Sequence, residues 1–176
     1  MPQGGPSIMS IANANRHTDL SRRLMEQANY ELHTMSDRVQ ASDKASGAVA
    51  QAVKAIAEDR NWRHRSHNLR RDIVGLLAEE FQQPQMLYLQ AIADQLQHNY
   101  YEDWLGEALV TNLVADVNSL IPLLWEARER GPNRDFTPTP AQQRTIDRLL
   151  LSEAEALADA SIDLPPPMPP FNPPSR

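Results

Sequence analysis

The sequence predicts an all-α protein, an antiparallel bundle of helices joined by short loops. Three observations carry this. Apolar residues recur every three or four positions along most of the chain. No segment alternates apolar and polar residues as a half-buried strand would. The breaks between periodic stretches are short and hold the usual punctuation: Ser36-Asp37, Gln83-Pro84 and Gly131-Pro132.

Residues 1–16 hold Gly4, Gly5 and Pro6, show no periodicity, and read as a loose N-terminal arm. Thr18 or Asp19 can cap a first helix whose stripe is Leu20, Leu24, Ala28, Leu32 and Met35. A second helix is expected over 38–59. Its face is Val39, Ala45, Ala48, Val49, Ala52, Val53 and Ile56, with Ser46 and Gly47 small enough to admit a close partner helix. Gly47 weakens the helix by up to about 1 kcal/mol unless packing offsets it. A third helix runs from about His67 to Phe81 through Leu69, Ile73, Leu76 and Leu77, with His67 and Asn68 as candidate caps. Glu79, Glu80, Gln82 and Gln83 read as solvent-facing.

The fourth helix, about 85–98, carries Leu87, Ala91, Ile92 and Leu96, and HNYYEDW, residues 98–104, reads as a junction. A long fifth helix is expected over 103–128 through Leu105, Leu109, Leu113, Val117, Leu120 and Leu124, kinked at Pro122. Its further apolar positions Val110, Val114, Ile121 and Leu123 suggest a homodimer, with Val114 and Ile121 near the interface. The bundle then spans 17–131. A C-terminal extension, 132–162, opens on a capping box at Thr139-Pro140-Ala141-Gln142 and continues through Ile146, Leu149, Leu150, Ala154 and Leu157. The proline-rich tail, 163–176, should be extended and disordered.

Composition limits the function. The chain has 176 residues and a net charge of −6, so adhesion to nucleic acid or anionic membrane requires a local patch. With no cysteine, thiol catalysis, disulfides and cysteine-ligated zinc are excluded. No signal peptide and no uninterrupted apolar run of about 18 residues is evident, so a cytoplasmic protein with no membrane partner is the expectation. No cofactor is implied.

The local patch is RNWRHRSHNLRR, residues 60–71. Arg63, His64, Arg65, Arg70 and Arg71 could contact phosphates of RNA or a nucleotide, since clustered arginine beside an aromatic suits that task without specifying it. Arg60 and His67 have six residues between them. As a nuclease pair, the histidine would take the 2′-OH proton and the arginine would stabilise charge growing on phosphate. As a plain helix–helix junction, the arginines would cover apolar surface with their stems and Trp62 would close the core. His64 and His67 alone do not make a metal site, and none is expected. His98, Asn99, Tyr101, Glu102 and Asp103 form a second polar cluster. It reads as an acidic cap on the fifth helix, or as one wall of a cleft meeting the 62–67 junction.

The segment QASDKASGAVAQAVKAIAEDRNWRHRSHNLRRDIVGLL resembles the HEPN superfamily of small helical domains, and more narrowly its PaREP branch. The likeness rests on Ala41, Lys44, Ala48, Ala52, Lys54 and Ala55, then on Trp62, His64, Ser66 and His67. It is extended by His98, Asn99, Tyr100, Tyr101, Glu102 and Asp103, and covers about residues 20–128. It implies a four- to five-helix HEPN-like bundle, often dimeric, linked to RNA metabolism, toxin–antitoxin systems or nucleotide binding. HEPN ribonucleases use an Arg-x(4–6)-His motif without metal. Its usual place, the start of the last core helix, is held here by His98, with Ala91, Ile92, Ala93 and Asp94 before it and no arginine. The leading expectation is therefore a HEPN-like accessory or binding protein. The alternatives are a metal-independent endoribonuclease using Arg60 and His67, and an adaptor that meets a protein partner through the C-terminal extension.

Overall fold

A computed structural model describes residues 7–152. The described residues form helices and no strand: α1 (Ile8–His33), α2 (Arg38–Asp59), α3 (His67–Glu80), α4 (Gln85–Glu102), α5 (Glu107–Leu120), α6 (Pro122–Arg130) and α7 (Pro140–Leu150). The tail expected over 163–176, and Ala154 and Leu157 of the extension, lie outside these residues.

α2 is the axis of the bundle and packs against α1, α3, α4, α5 and α6. Its sequence explains how one helix serves so many neighbours. Ala41, Ala45, Ala48, Ala52, Ala55 and Ala57 are buried together with Val49, Val53 and Ile56. With side chains this short on several faces, partner backbones can approach without leaving voids. α1 comes closest. Ser21 is fully buried and donates through Oγ to the Ala48 carbonyl at 2.7 Å. A Cβ on Gly47 would stand 3.4 Å from Leu24 Cδ1, ordinary contact for a tightly packed pair.

α1 begins at Ile8, capped by Ser7, whose side chain accepts from the Ser10 amide. This corrects both the loose arm expected to residue 16 and the caps expected at Thr18 or Asp19. Thr18 lies inside the helix and donates to the Ala14 carbonyl. Tertiary contacts override the weak local propensity: Ala14 is fully buried, and Arg128 on α6 donates to Asn15 Oδ1, Thr18 Oγ1 and Asp59 Oδ2 at 2.7–2.8 Å. At the other end Met35 leaves the helix and is exposed, contrary to its expected core position.

α4 extends to Glu102, so most of the expected 98–104 junction is helical. Its buried face is Met86, Leu89, Ile92, Ala93, Leu96 and Asn99, whereas Leu87 and Ala91 point to solvent. Asn99 is buried at the crossing of three segments. It donates to Ser42 Oγ at 2.9 Å, and its Oδ1 accepts the Leu105 amide at 2.8 Å. This side chain holds the α4–α5 loop onto α2. We expect Asn99→Leu to cost about 1–3 kcal/mol, since the Leu105 amide would be left buried without an acceptor. Urea unfolding monitored by circular dichroism measures this, and an unchanged midpoint would show that the loop rearranges freely.

The expected long fifth helix is two. α5 starts at Glu107 behind Gly106, because Asp103 adopts φ 45° and terminates α4. Glu102 and Asp103 therefore belong to the end of α4, and the acidic cap on α5 is Glu107. Pro122 starts α6 at its first position, where its missing N–H costs nothing. Val110, Val114 and Ile121 are fully buried within this one chain, so the ground for placing Val114 and Ile121 at a dimer interface is gone. Glu107–Arg130 is apolar and long enough to cross a bilayer by composition. Here, however, Val110, Val114, Val117, Ile121 and Leu124 all fill the bundle core.

The capping box opening α7 is present. Thr139 Oγ1 accepts the Gln142 amide and Gln142 Oε1 accepts the Thr139 amide. α7 packs on α3 through buried Leu149, and Arg148 bonds Asp72 at 2.9 Å.

Candidate functional site

α2 ends in a left-handed turn. Asn61 takes φ 56°, its amide donates to the Glu58 carbonyl, and the Trp62 amide reaches back to the Ala57 carbonyl at 2.8 Å. This is a Schellman closure, in which the residue after the turn packs on the helix it ends. Trp62 is accordingly buried beside Ala57, with the Arg60 guanidinium 4.8 Å above its ring. Ser66, rather than His67 or Asn68, caps α3 by accepting the Leu69 amide.

The residues expected to act together are divided by this geometry. Arg60 turns inward. Its Nη1 and Nη2 bond the two oxygens of Glu80 at 2.5 and 2.9 Å, and the side chains are only 8% and 5% exposed. Glu80, expected in solvent, is thus buried, and it also accepts the Asn133 amide at 2.7 Å. His67 bonds a different carboxylate, Asp94 on α4, at 3.1 Å. Arg60 and His67 therefore engage different partners, on α3 and α4 respectively. Arg63 supports α7: its amide donates to the Leu149 carbonyl and its Nη1 to the Arg148 carbonyl. Arg65 is exposed, and its carbonyl accepts from Arg70. Arg71 forks onto Asp94 Oδ2 at 2.7 and 2.9 Å.

In the second cluster, Asn99 is structural. Asp103 pairs with Arg38 at 2.9 Å, His98 lies against Trp104, and Glu102 is exposed at the end of α4. Tyr101 is exposed and meets Tyr100 edge to face. One part of the expected meeting of the two stretches does occur. His67 and Arg70 from α3 share an open cleft of about 110 Å³ with Tyr100 and Tyr101 from α4. Asp94, Gln90 and Gln97 complete the α4 wall, and Asp43, Ser46, Gly47 and Ala50 of α2 form the floor.

The charge at one edge of this cleft is unusual for an acidic chain. Lys54 follows Ala50 by one turn on α2. Burial pushes its ammonium below the ordinary value, and the charge of Arg70 pushes it further. Burial likewise lowers Arg70, partly opposed by Asp94. No carboxylate bonds Lys54 among the described residues. The charges of these two partly buried cations thus oppose each other, with Asp94 acting on Arg70. In the sequence Lys54 stands out only as one of two lysines and as part of the family likeness, with no sign of its burial.

A second constellation lies beside Lys54, assembled from parts far apart in the chain. His17 of α1, Glu58 of α2 and His64 of the α2–α3 loop bring their ligating atoms within 4.8 Å of one another. His64 Nε2 contacts Glu58 Oε1 at 2.9 Å, His17 Nδ1 contacts Gln51 Oε1 at 2.6 Å, and the two imidazoles meet edge to face. Burial lowers the His17 pKa. The bond to Gln51 opposes this, while the charges of His64 and Lys54 add to it and Glu58 counters.

Residues 16–121 match the model of the archaeal PaREP1/PaREP8 family. The chain belongs to this family. No curated protein and no solved structure matches it. The PaREP1/PaREP8 region contains the cleft, Lys54 and the His17–Glu58–His64 constellation entire, whereas α7 lies beyond it.

Proposed function

We propose that this PaREP-family chain is a HEPN-like binding or accessory protein that holds a phosphate-bearing ligand, RNA or a nucleotide, along the cleft between α2, α3 and α4. The observation carrying this reading is the pair Lys54 and Arg70, two partly buried cations of which only Arg70 feels a nearby carboxylate, Asp94. Burying two like charges side by side is unfavourable, and an anion bridging them relieves it. His67 and the Tyr100–Tyr101 pair beside them offer a further donor and aromatic faces on which a base can stack. Binding is favoured over cleavage because the guanidinium required for cleavage, Arg60, already has its fork closed by Glu80 inside the bundle.

Fluorescence anisotropy with a single-stranded RNA and equilibrium dialysis with a nucleoside triphosphate separate the two ligand sources. Lys54→Ala and Arg70→Ala should each weaken binding, and each should flatten the dependence of log K on log salt for RNA by about 0.7. Unaltered binding of both ligands by the double variant would overturn the reading.

A further inference from the structure

We propose that His17, Glu58 and His64 form a binding site for a divalent transition-metal ion, of which Zn²⁺ is the best fit. The site goes beyond the phosphate-binding reading and does not depend on it. Two imidazoles and one carboxylate are the ligand set of open zinc centres, which hold the metal by three protein groups and leave a position for water or an anion. The set also disfavours Mg²⁺ and Ca²⁺, which prefer all-oxygen surroundings.

Three features distinguish this constellation from a chance meeting of polar side chains. The ligating atoms of all three residues converge within 4.8 Å, although they come from two helices and a loop. Each segment is fixed independently: His17 lies within α1, Glu58 lies on the last turn of α2, and His64 follows the Trp62 closure. Next, Gln51 Oε1 accepts a hydrogen bond from His17 Nδ1–H at 2.6 Å, which leaves the ring's lone pair on Nε2. Metal-bound histidines are oriented by this kind of outer hydrogen bond. Finally, His64 turns its Nε2 onto Glu58 Oε1 at 2.9 Å, so this imidazole nitrogen and the carboxylate already converge on one point. Lys54 is close enough to influence His17. One carboxylate reduces a dication to a net single charge, which an anion taken as a further ligand would offset.

The test uses the full chain, stripped with EDTA, dialysed and titrated with Zn²⁺ by calorimetry. The wild type should bind one Zn²⁺ per chain, and its Tm should rise with Zn²⁺ concentration. His17→Gln and Glu58→Gln should each weaken Zn²⁺ at least as much as loss of an outer-shell partner does, roughly 10–100-fold. Gln51→Ala should weaken it to a smaller degree, which a merely structural glutamine would not do. His33, His67 and His98 are elsewhere in the fold, so a His33→Gln/His98→Gln control should retain the one tight site. Circular dichroism confirms that each variant remains helical. If His64→Gln does not fold, His17→Gln and Glu58→Gln decide, because both residues are partly exposed. Zn²⁺ binding that is absent in the wild type, or equally tight in His17→Gln and Glu58→Gln, would overturn the proposal. Nucleotide or RNA binding by EDTA-stripped protein reports on the cleft alone, so either reading can fail without the other.

Discussion

Arg60→Ala should destabilise the protein by about 3–5 kcal/mol, since it removes one partner of a buried ion pair and leaves the other charge in place. The carboxylate left behind is Glu80, 5% exposed, with only the Asn133 amide to satisfy it. The loss would extend beyond the pair. Glu80 also fixes the turn after α6 through its own carbonyl, which accepts Asn133 Nδ2 at 3.1 Å. Urea unfolding gives the magnitude, and the double variant Arg60→Met/Glu80→Leu gives the cause. Buried ion pairs replaced as a unit by apolar residues are often near neutral, so the double variant should be more stable than Arg60→Ala alone. A single-variant loss under about 1 kcal/mol would mean that Glu80 swings to water, and would free Arg60 for other duties. This result also bears on cleavage, because an arginine serving only a transition state can be removed with little effect on folding.

The fate of Arg60 shows where reading the chain in one dimension succeeds and fails. Local chemistry was legible. The Thr139–Gln142 capping box, the small face of α2 and the stop after Asp59 depend on residues within a few positions of each other. What depends on phase was misread where two phases compete. In α4 the run QMLYLQAI carries apolar residues at 86, 87, 89, 91 and 92. Leu87 and Ala91 fit one stripe, while Met86, Leu89 and Ile92 fit another. The deciding member, Asn99, is polar and falls in the stretch read as a junction, beyond the expected end of the helix. What depends on distant partners was not legible at all. Glu80 resembles any glutamate at a helix end until Arg60 and Asn133 are brought to it. His17 was assigned to neither arm nor site, since the helix that presents it to Glu58 and His64 was expected to begin after it. The arginine-rich stretch attracted attention by density. Yet the residues that differ physically from their neighbours are Lys54, set in an alanine-rich helix, and Arg70, half-buried against it.

Trp62→Ala should cost about 3–5 kcal/mol, the range for deleting a large aromatic from a packed site. The indole is 9% exposed and closes one end of the core, and its position is over-determined. Asn61 in the left-handed region sets the chain direction, the Trp62 amide is tied to Ala57, and the next amide, of Arg63, is tied to Leu149 on α7. With both neighbours held, the backbone cannot collapse into the space the indole leaves, and poor collapse is what makes a cavity expensive. Trp62→Phe should recover a large part of the loss by refilling the ring volume. Arg63→Ala should do little, because its 3.4 Å side-chain bond is solvent-exposed and its amide bond survives the substitution. The tryptophan and Arg60 are in contact, so their effects should not add. Removing the ring also removes the surface on which the guanidinium lies, and the Arg60→Ala/Trp62→Ala pair should cost less than the two single losses combined. A strictly additive pair would place the Arg60–Glu80 bridge and the Trp62 closure in separate parts of the fold. A sub-additive pair would make residues 60–62 one structural unit, the hinge on which α2 ends and from which His64 is aimed back toward Glu58.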